Sequence, residues 1–286
     1  MSFHLAAYVG ETATPPTLQT PVLLPPAIDM YLPSTPTGFL LPSPMRIVAA
    51  WAASTDAGSA SPAGLASATI NAPSLLRVAY PSIRPLSHSV GESTDPNVMN
   101  LVAHPLLLPA SENVGVLATV GAGATVGNKP IVALLWFCDE LVPVPPGEIF
   151  TLRFATSSAP VGTPGVWSPM GTIVFDQTLP PGNYTVVGFE HWNRNAAAAR
   201  LVFPGMHMRP GTLSMSGGSA FPSDQRTDRL FYEGGLGVYG TFSAYAPPSF
   251  EVIGGGGGST LHEGYLSVIR TGDVGSPHER APHAPR

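Results

Sequence analysis

Hydrophobic residues run along this chain in short stretches, each cut off by proline or glycine, and several alternate with polar residues at a period of two. That pattern predicts strands at Met45 to Ala53, Ser74 to Tyr80, Val114 to Val120 and Ile131 to Cys138. A second series follows at Glu148 to Ala155, Gly171 to Phe175, Tyr184 to Trp192, Arg200 to Phe203, Leu236 to Tyr245, Ser249 to Ile253 and Tyr265 to Ile269. The segment from Ser54 to Ala68 reads as a Ser/Ala/Gly loop, and Gly121 to Gly127 and Gly254 to Gly258 as glycine-rich turns. No window sustains a helical period; Asn195 to Ala199 and Asp224 to Tyr232 could each supply one or two turns. Many short strands at regular spacing point to an all-β fold of sandwiches or barrels.

The pattern also divides the chain. Residues 1–44 are punctuated by proline and read as an arm with the first edge strands, among them Pro21 to Leu24 and Met30 to Leu32. A first β unit spans 45–142, or roughly 14–142 if strands of the arm belong to it. Asp139 to Gly147 is a proline-stiffened link, a second unit spans 147–271, and 272–286 forms a tail. The two units resemble each other. Leu41-Pro-Ser-Pro-Met-Arg-Ile-Val48 lines up with Leu179-Pro-Pro-Gly-Asn-Tyr-Thr-Val186. Further on, Arg77-Val-Ala-Tyr-Pro81 and Arg84-Pro85 answer Arg200-Leu-Val-Phe-Pro204 and Arg209-Pro210.

Composition narrows the function. Charged residues are 11% of the chain, the net charge is −5, and no basic block is present, which argues against direct nucleic-acid binding. Lys129 is the lone lysine among 13 basic residues. GC-rich codons would favour arginine, but they would not lower total charge, and sparse charge with arginine in place of lysine suits a densely assembled protein. Cys138 has no partner for an internal disulfide and sits in an apolar run, as an inert buried thiol would. The first basic residue is Arg46, which speaks against a secretory signal.

Catalytic and metal chemistry finds little footing. The eight histidines show no His-x-x-x-His or His-x-His spacing, and in Glu190-His191 and His262-Glu263 neighbours on a strand point to opposite faces. His191 is expected on a barrel surface. Gly121 to Lys129 lacks the Ser/Thr and the following helix of a phosphate loop, and no Gly-x-Ser-x-Gly elbow occurs. No catalytic, metal or cofactor site is therefore expected. The recurring arginines Arg77, Arg84, Arg200 and Arg209 are the candidate subunit-interface residues, gripping a neighbour's carboxylates or carbonyls by forked hydrogen bonds.

Two tandem β units with these features resemble the double jelly-roll major capsid proteins of tailless icosahedral viruses. The resemblance covers nearly the whole chain, is one of architecture, and departs from the family in showing no flanking helices. It implies two jelly rolls, homotrimers of pseudo-hexagonal outline, and a coat subunit that self-assembles into an icosahedral shell. The partners implied are copies of the chain itself, with other capsid proteins or an internal membrane beside them, and the location is the virion after synthesis in the host cytoplasm. Two alternatives stand beside it. One is a carbohydrate-binding or fibre-type β-sandwich using Trp51, Trp167 and Trp192 as stacking platforms. The other is a β-sandwich hydrolase with dispersed carboxylates.

Overall fold

A computed structural model describes residues 3–12, 22–54, 65–75, 82–83, 85–86, 98–120, 129–140, 142–156, 165–193, 196–215, 238–254 and 261–272. The fold is all-β with curled sheets, and among the described residues one short 3-10 turn, Pro73–Leu75, is the sole helical element.

In the first half, Phe3–Thr12, Lys129–Cys138, Met45–Ser54 and Leu106–Leu108 lie side by side, each antiparallel to the next. Pro85–Leu86 joins the far end of Met45–Ser54 in parallel. The facing sheet runs Gly38–Leu40, Asn113–Val120, Leu65–Asn71, Ser82–Ile83, again antiparallel. In the second half, Ile149–Ala155, Glu263–Gly272, Asn183–Trp192 and Gly240–Ser243 follow one another in the same way. So do Trp167–Thr172, Ser249–Gly254, Ala196–Val202 and Gly211–Met215. Gly211–Met215 also pairs in parallel with the far end of Asn183–Trp192, so the sheet folds over on itself there. Even an irregularity recurs. Val48 is an extra residue between the paired Ile47 and Ala49, and Val187 is one between the paired Val186 and Gly188. Each is a β-bulge, which reverses the faces of every residue beyond it.

The unbroken apolar run from Ile131 to Cys138, within the strand Lys129–Cys138, has a simple cause: both of its faces are covered. Ile131, Ala133, Leu135 and Phe137 pack on the facing sheet of the first half with Phe39, Ile70, Val114 and Val116. Val132, Leu134, Trp136 and Cys138 turn the other way, into a core continuous with Phe154, Phe189, Phe250 and Leu266 of the second half. Burying a Leu, Val or Phe side chain contributes about 1.5–3 kcal/mol, so a layer of this kind fixes the halves against each other.

Several expectations need correction. Phe3–Thr12 is a ten-residue strand of the first sheet, and its outer edge is closed by Ala27 N donating to Ala7 O (2.8 Å), Val9 N to Pro25 O (3.0 Å) and Leu5 N to Arg209 O (2.7 Å). Met30 to Leu32 is a bend, not a strand. Leu65–Asn71 is a strand where a loop was expected, and Ser74 lies in the 3-10 turn. Ala196–Ala199 is extended, not helical, because these alanines are sealed inside the sheet, where packing overrides their helix propensity. The strand expected at Gly171 to Phe175 runs instead over Trp167–Thr172, and Gly211–Met215 was not anticipated. Gly121 to Gly127, Asp224 to Tyr232 and the tail beyond Gly272 lie outside the described residues.

Candidate functional site at the junction of the two halves

Arg200 occupies a strand position opposite Glu251 on one side and Gly211 on the other, on the face of the second half that meets the first. Its Nε donates to Glu251 Oε2 at 2.7 Å, its Nη1 donates to Asp29 Oδ2 at 2.6 Å, and its guanidinium lies 4.1 Å from the Trp167 ring centre. Asp29 comes from the segment after the first strand, and its Oδ1 accepts the backbone N–H of Tyr31 at 2.9 Å. His4 completes the group, with Nε2 2.8 Å from Asp29 Oδ2. The side chains of His4 and Asp29 are fully buried, and that of Arg200 is 2% exposed.

A buried carboxylate would ordinarily be pushed up, but the hydrogen bond from His4 and the charge and hydrogen bond of the Arg200 guanidinium outweigh burial and hold Asp29 well below the usual carboxylate range. Burial lowers the His4 imidazole, with the Arg200 and Arg209 charges acting in the same direction against the pull of Asp29. Arg209 also sits here: its guanidinium lies 3.5 Å from the Tyr31 ring centre, and its Nη1 donates to the carbonyls of Met206 and Met208. Trp136 Nε1 of the first half donates to Gly211 O of the second at 2.9 Å. Two carboxylates against two guanidiniums leave the junction electrically balanced, and burial shuts it off from substrate; its chemistry is that of a fastening.

Arg200 and Arg209, matched in the sequence to Arg77 and Arg84 respectively, both lie at this junction with partners in the same chain, and both are buried in it, at 1% and 3% exposure. Arg77 and Arg84 lie outside the described residues. His191, expected on a surface, is fully buried: Nδ1 is 2.9 Å from Ser214 Oγ and Nε2 is 3.1 Å from His262 Nδ1. Burial and the neighbouring His262 hold His191 well below its ordinary value. This pair closes the place where the second-half sheet folds over, since His191 is paired with Ser214 across it. Sequence reasoning missed the pair because His191 and His262 are 71 residues apart. The split of Glu190 from His191, and of His262 from Glu263, does follow the strand alternation: both histidines are inside, both carboxylates on the outer side. Trp51 and Trp167 are buried, at 1% and 6% exposure, while Trp192 is 45% exposed.

No family model matches the chain, and no curated protein matches it. Among solved structures, the major capsid protein P2 from bacteriophage PM2 aligns over 94% of this chain and 99% of its own, at 10% identity and a TM-score of 0.24. A Paenibacillus xanthan lyase aligns over 89% of this chain and 25% of its own, at 10% identity and a TM-score of 0.20. Likenesses this slight decide neither fold nor function.

Proposed function

We propose that each half is an eight-stranded jelly roll, that the chain is a tandem duplication of that unit, and that it serves as the coat subunit of an icosahedral virus. The observation that carries this reading is the recurrence of one pairing scheme among the longer strands, with a bulge at Val48 in one half and Val187 in the other; Val22–Leu23, Ser34–Thr35 and Met99–Asn100 are additions of the first half. Support for a building-block role comes from the junction, where apolar side chains and the Arg200 network lock the two units into a single body. A rigid block with sparse charge can form broad contacts with copies of itself without burying unpaired ions.

In this reading the role is structural and not enzymatic, three copies form the capsomer, and the subunit is made in the host cytoplasm and ends in the virion. Other capsid proteins or an internal membrane are the remaining partners, and the genome is neutralised by another component. The carbohydrate-binding module as the chain's sole function is weaker, because two of its three platforms, Trp51 and Trp167, are buried. Size-exclusion chromatography with light scattering tests the reading. A species of three times the 29.7 kDa chain mass is expected, and a monomer at every concentration would overturn it.

A further inference from the structure

The bulge at Val187 has a consequence on the outer face of the second half. Before it, Tyr184 and Val186 point into the core; after it, Phe189 and His191 do so, and Gly188, Glu190 and Trp192 turn outward. In the first half the corresponding outward face carries Ala49 and Trp51 and is sealed against the second half. The second-half face carries polar groups instead. Register places Ser267 between Thr151 and Gly188, Tyr265 between Arg153 and Glu190, and Glu263 opposite Trp192. Gly188 has no side chain and Thr151 and Ser267 are short, so this row is a floor; the bulkier rows rise beside it. The result is a groove of about 420 Å³, lined by Thr151, Glu190, Trp192, Glu263, Tyr265 and Ser267.

The groove is held in shape before anything enters it. Arg153 Nε donates to Glu263 Oε1 at 2.7 Å, and the Tyr265 hydroxyl donates to the same oxygen at 3.2 Å. Arg153 also pairs with Asp176, which fixes the guanidinium from the other side. Trp192 is the exposed member of the chain's four tryptophans, the other three being no more than 6% exposed.

From this we infer that the groove binds a neutral saccharide, independently of the coat role. An exposed indole beside fixed carboxylates and hydroxyls matches the two faces of a sugar. The flat C–H side of a pyranose stacks on Trp192, and ring hydroxyls donate to Glu190 and Glu263 in charge-assisted hydrogen bonds. Thr151 and Ser267 offer further hydroxyl partners along the floor. The volume lies within the range of small-molecule sites. Glu190 and Glu263, both lining the groove, disfavour an anionic sugar.

The test titrates maltose, cellobiose, lactose and diacetylchitobiose at millimolar concentrations into the full chain, reading tryptophan emission and ligand saturation-transfer NMR. A saturable response to at least one is expected. Trp192→Ala should weaken that binding about tenfold or more, and Glu190→Gln should weaken it less, with melting temperatures unchanged. A uronic-acid disaccharide should not compete. No saturable response to any of the four, unaltered affinity in Trp192→Ala, or equal binding of the uronic-acid sugar would overturn the inference. So would a concentration-dependent emission shift without sugar that Trp192→Ala abolishes, because a second copy of the chain would then occupy the face.

Discussion

Replacing Arg200 by methionine removes the charge at the centre of the junction while keeping much of the side chain's bulk. Asp29, with a fully buried side chain, would be left with His4 and two backbone donors, and Glu251, 16% exposed, would lose its 2.7 Å donor. Breaking a buried ion pair by removing one partner costs about 3–5 kcal/mol, and the stacking on Trp167 adds about 0.5–2 kcal/mol. Against a total stability of about 5–15 kcal/mol, Arg200→Met should lose roughly a quarter of it or more. Asp29→Ala should cost somewhat less, since Arg200 keeps Glu251. The double variant should fall short of the sum by about 2 kcal/mol, because the first substitution has already spoiled the shared contact. Urea unfolding followed by circular dichroism, under conditions where the chain is monomeric, gives all three values. Single-variant losses below about 1 kcal/mol, or strict additivity, would refute the role assigned to the pair; so would loss of assembly with unchanged monomer stability, which the intersubunit reading of these arginines requires.

Three further outcomes follow from the same packing. The unfolded chain takes up protons near the ordinary histidine value of 6.5 that buried His191 and His4 refuse when folded, so stability should fall as pH drops below that value, by up to about 1.4 kcal/mol per pH unit for each. His191→Gln should lower that slope by about one proton's worth, and thermal melts at pH 7.5 and 5.5 compare the two; an unaltered slope would count against a buried neutral His191. A Cβ at Gly211 would fall 2.5 Å from Ala199 O and 2.7 Å from Leu5 Cδ2, so Gly211→Ala should cost about 1–3 kcal/mol in urea unfolding, and a neutral result would contradict the close approach at the junction. Burial pushes the Cys138 thiol up to about 11, so Ellman's reagent at neutral pH should label it only as fast as the protein unfolds; prompt native labelling would contradict its place in the core.

The long strands were readable because their patterning is strong. Ile131 to Cys138 and Tyr184 to Trp192 are apolar enough that no other element fits, and the matching of Leu41–Val48 with Leu179–Val186 set Val48 within one residue of its bulge counterpart Val187. Leu65–Asn71 and the first four residues of Ala196–Val202, whose end at Arg200 was expected as strand, were hidden for the opposite reason. Alanines such as Ala68 and Ala196 to Ala199 hold inward positions there, and their small side chain suits a crowded interior but carries little β signal. The arginine matching did single out Arg200 and Arg209, yet Asp29 is 171 residues from Arg200, and no local pattern tells a guanidinium whether its carboxylate lies within the chain or in a neighbour. The outer groove was legible only in part. Alternation separates Glu190 from His191, but the bulge that decides which of them faces outward shows itself only in the pairing with Ser267 and Val268.

Electron cryomicroscopy of the purified, concentrated chain examines duplication and assembly together. Three chains with two like units each should give plates of six similar lobes around a threefold axis, joined edge to edge in sheets or shells. Particles with three lobes, or isolated single bodies with no repeating contact, would contradict a coat subunit built from a doubled β unit.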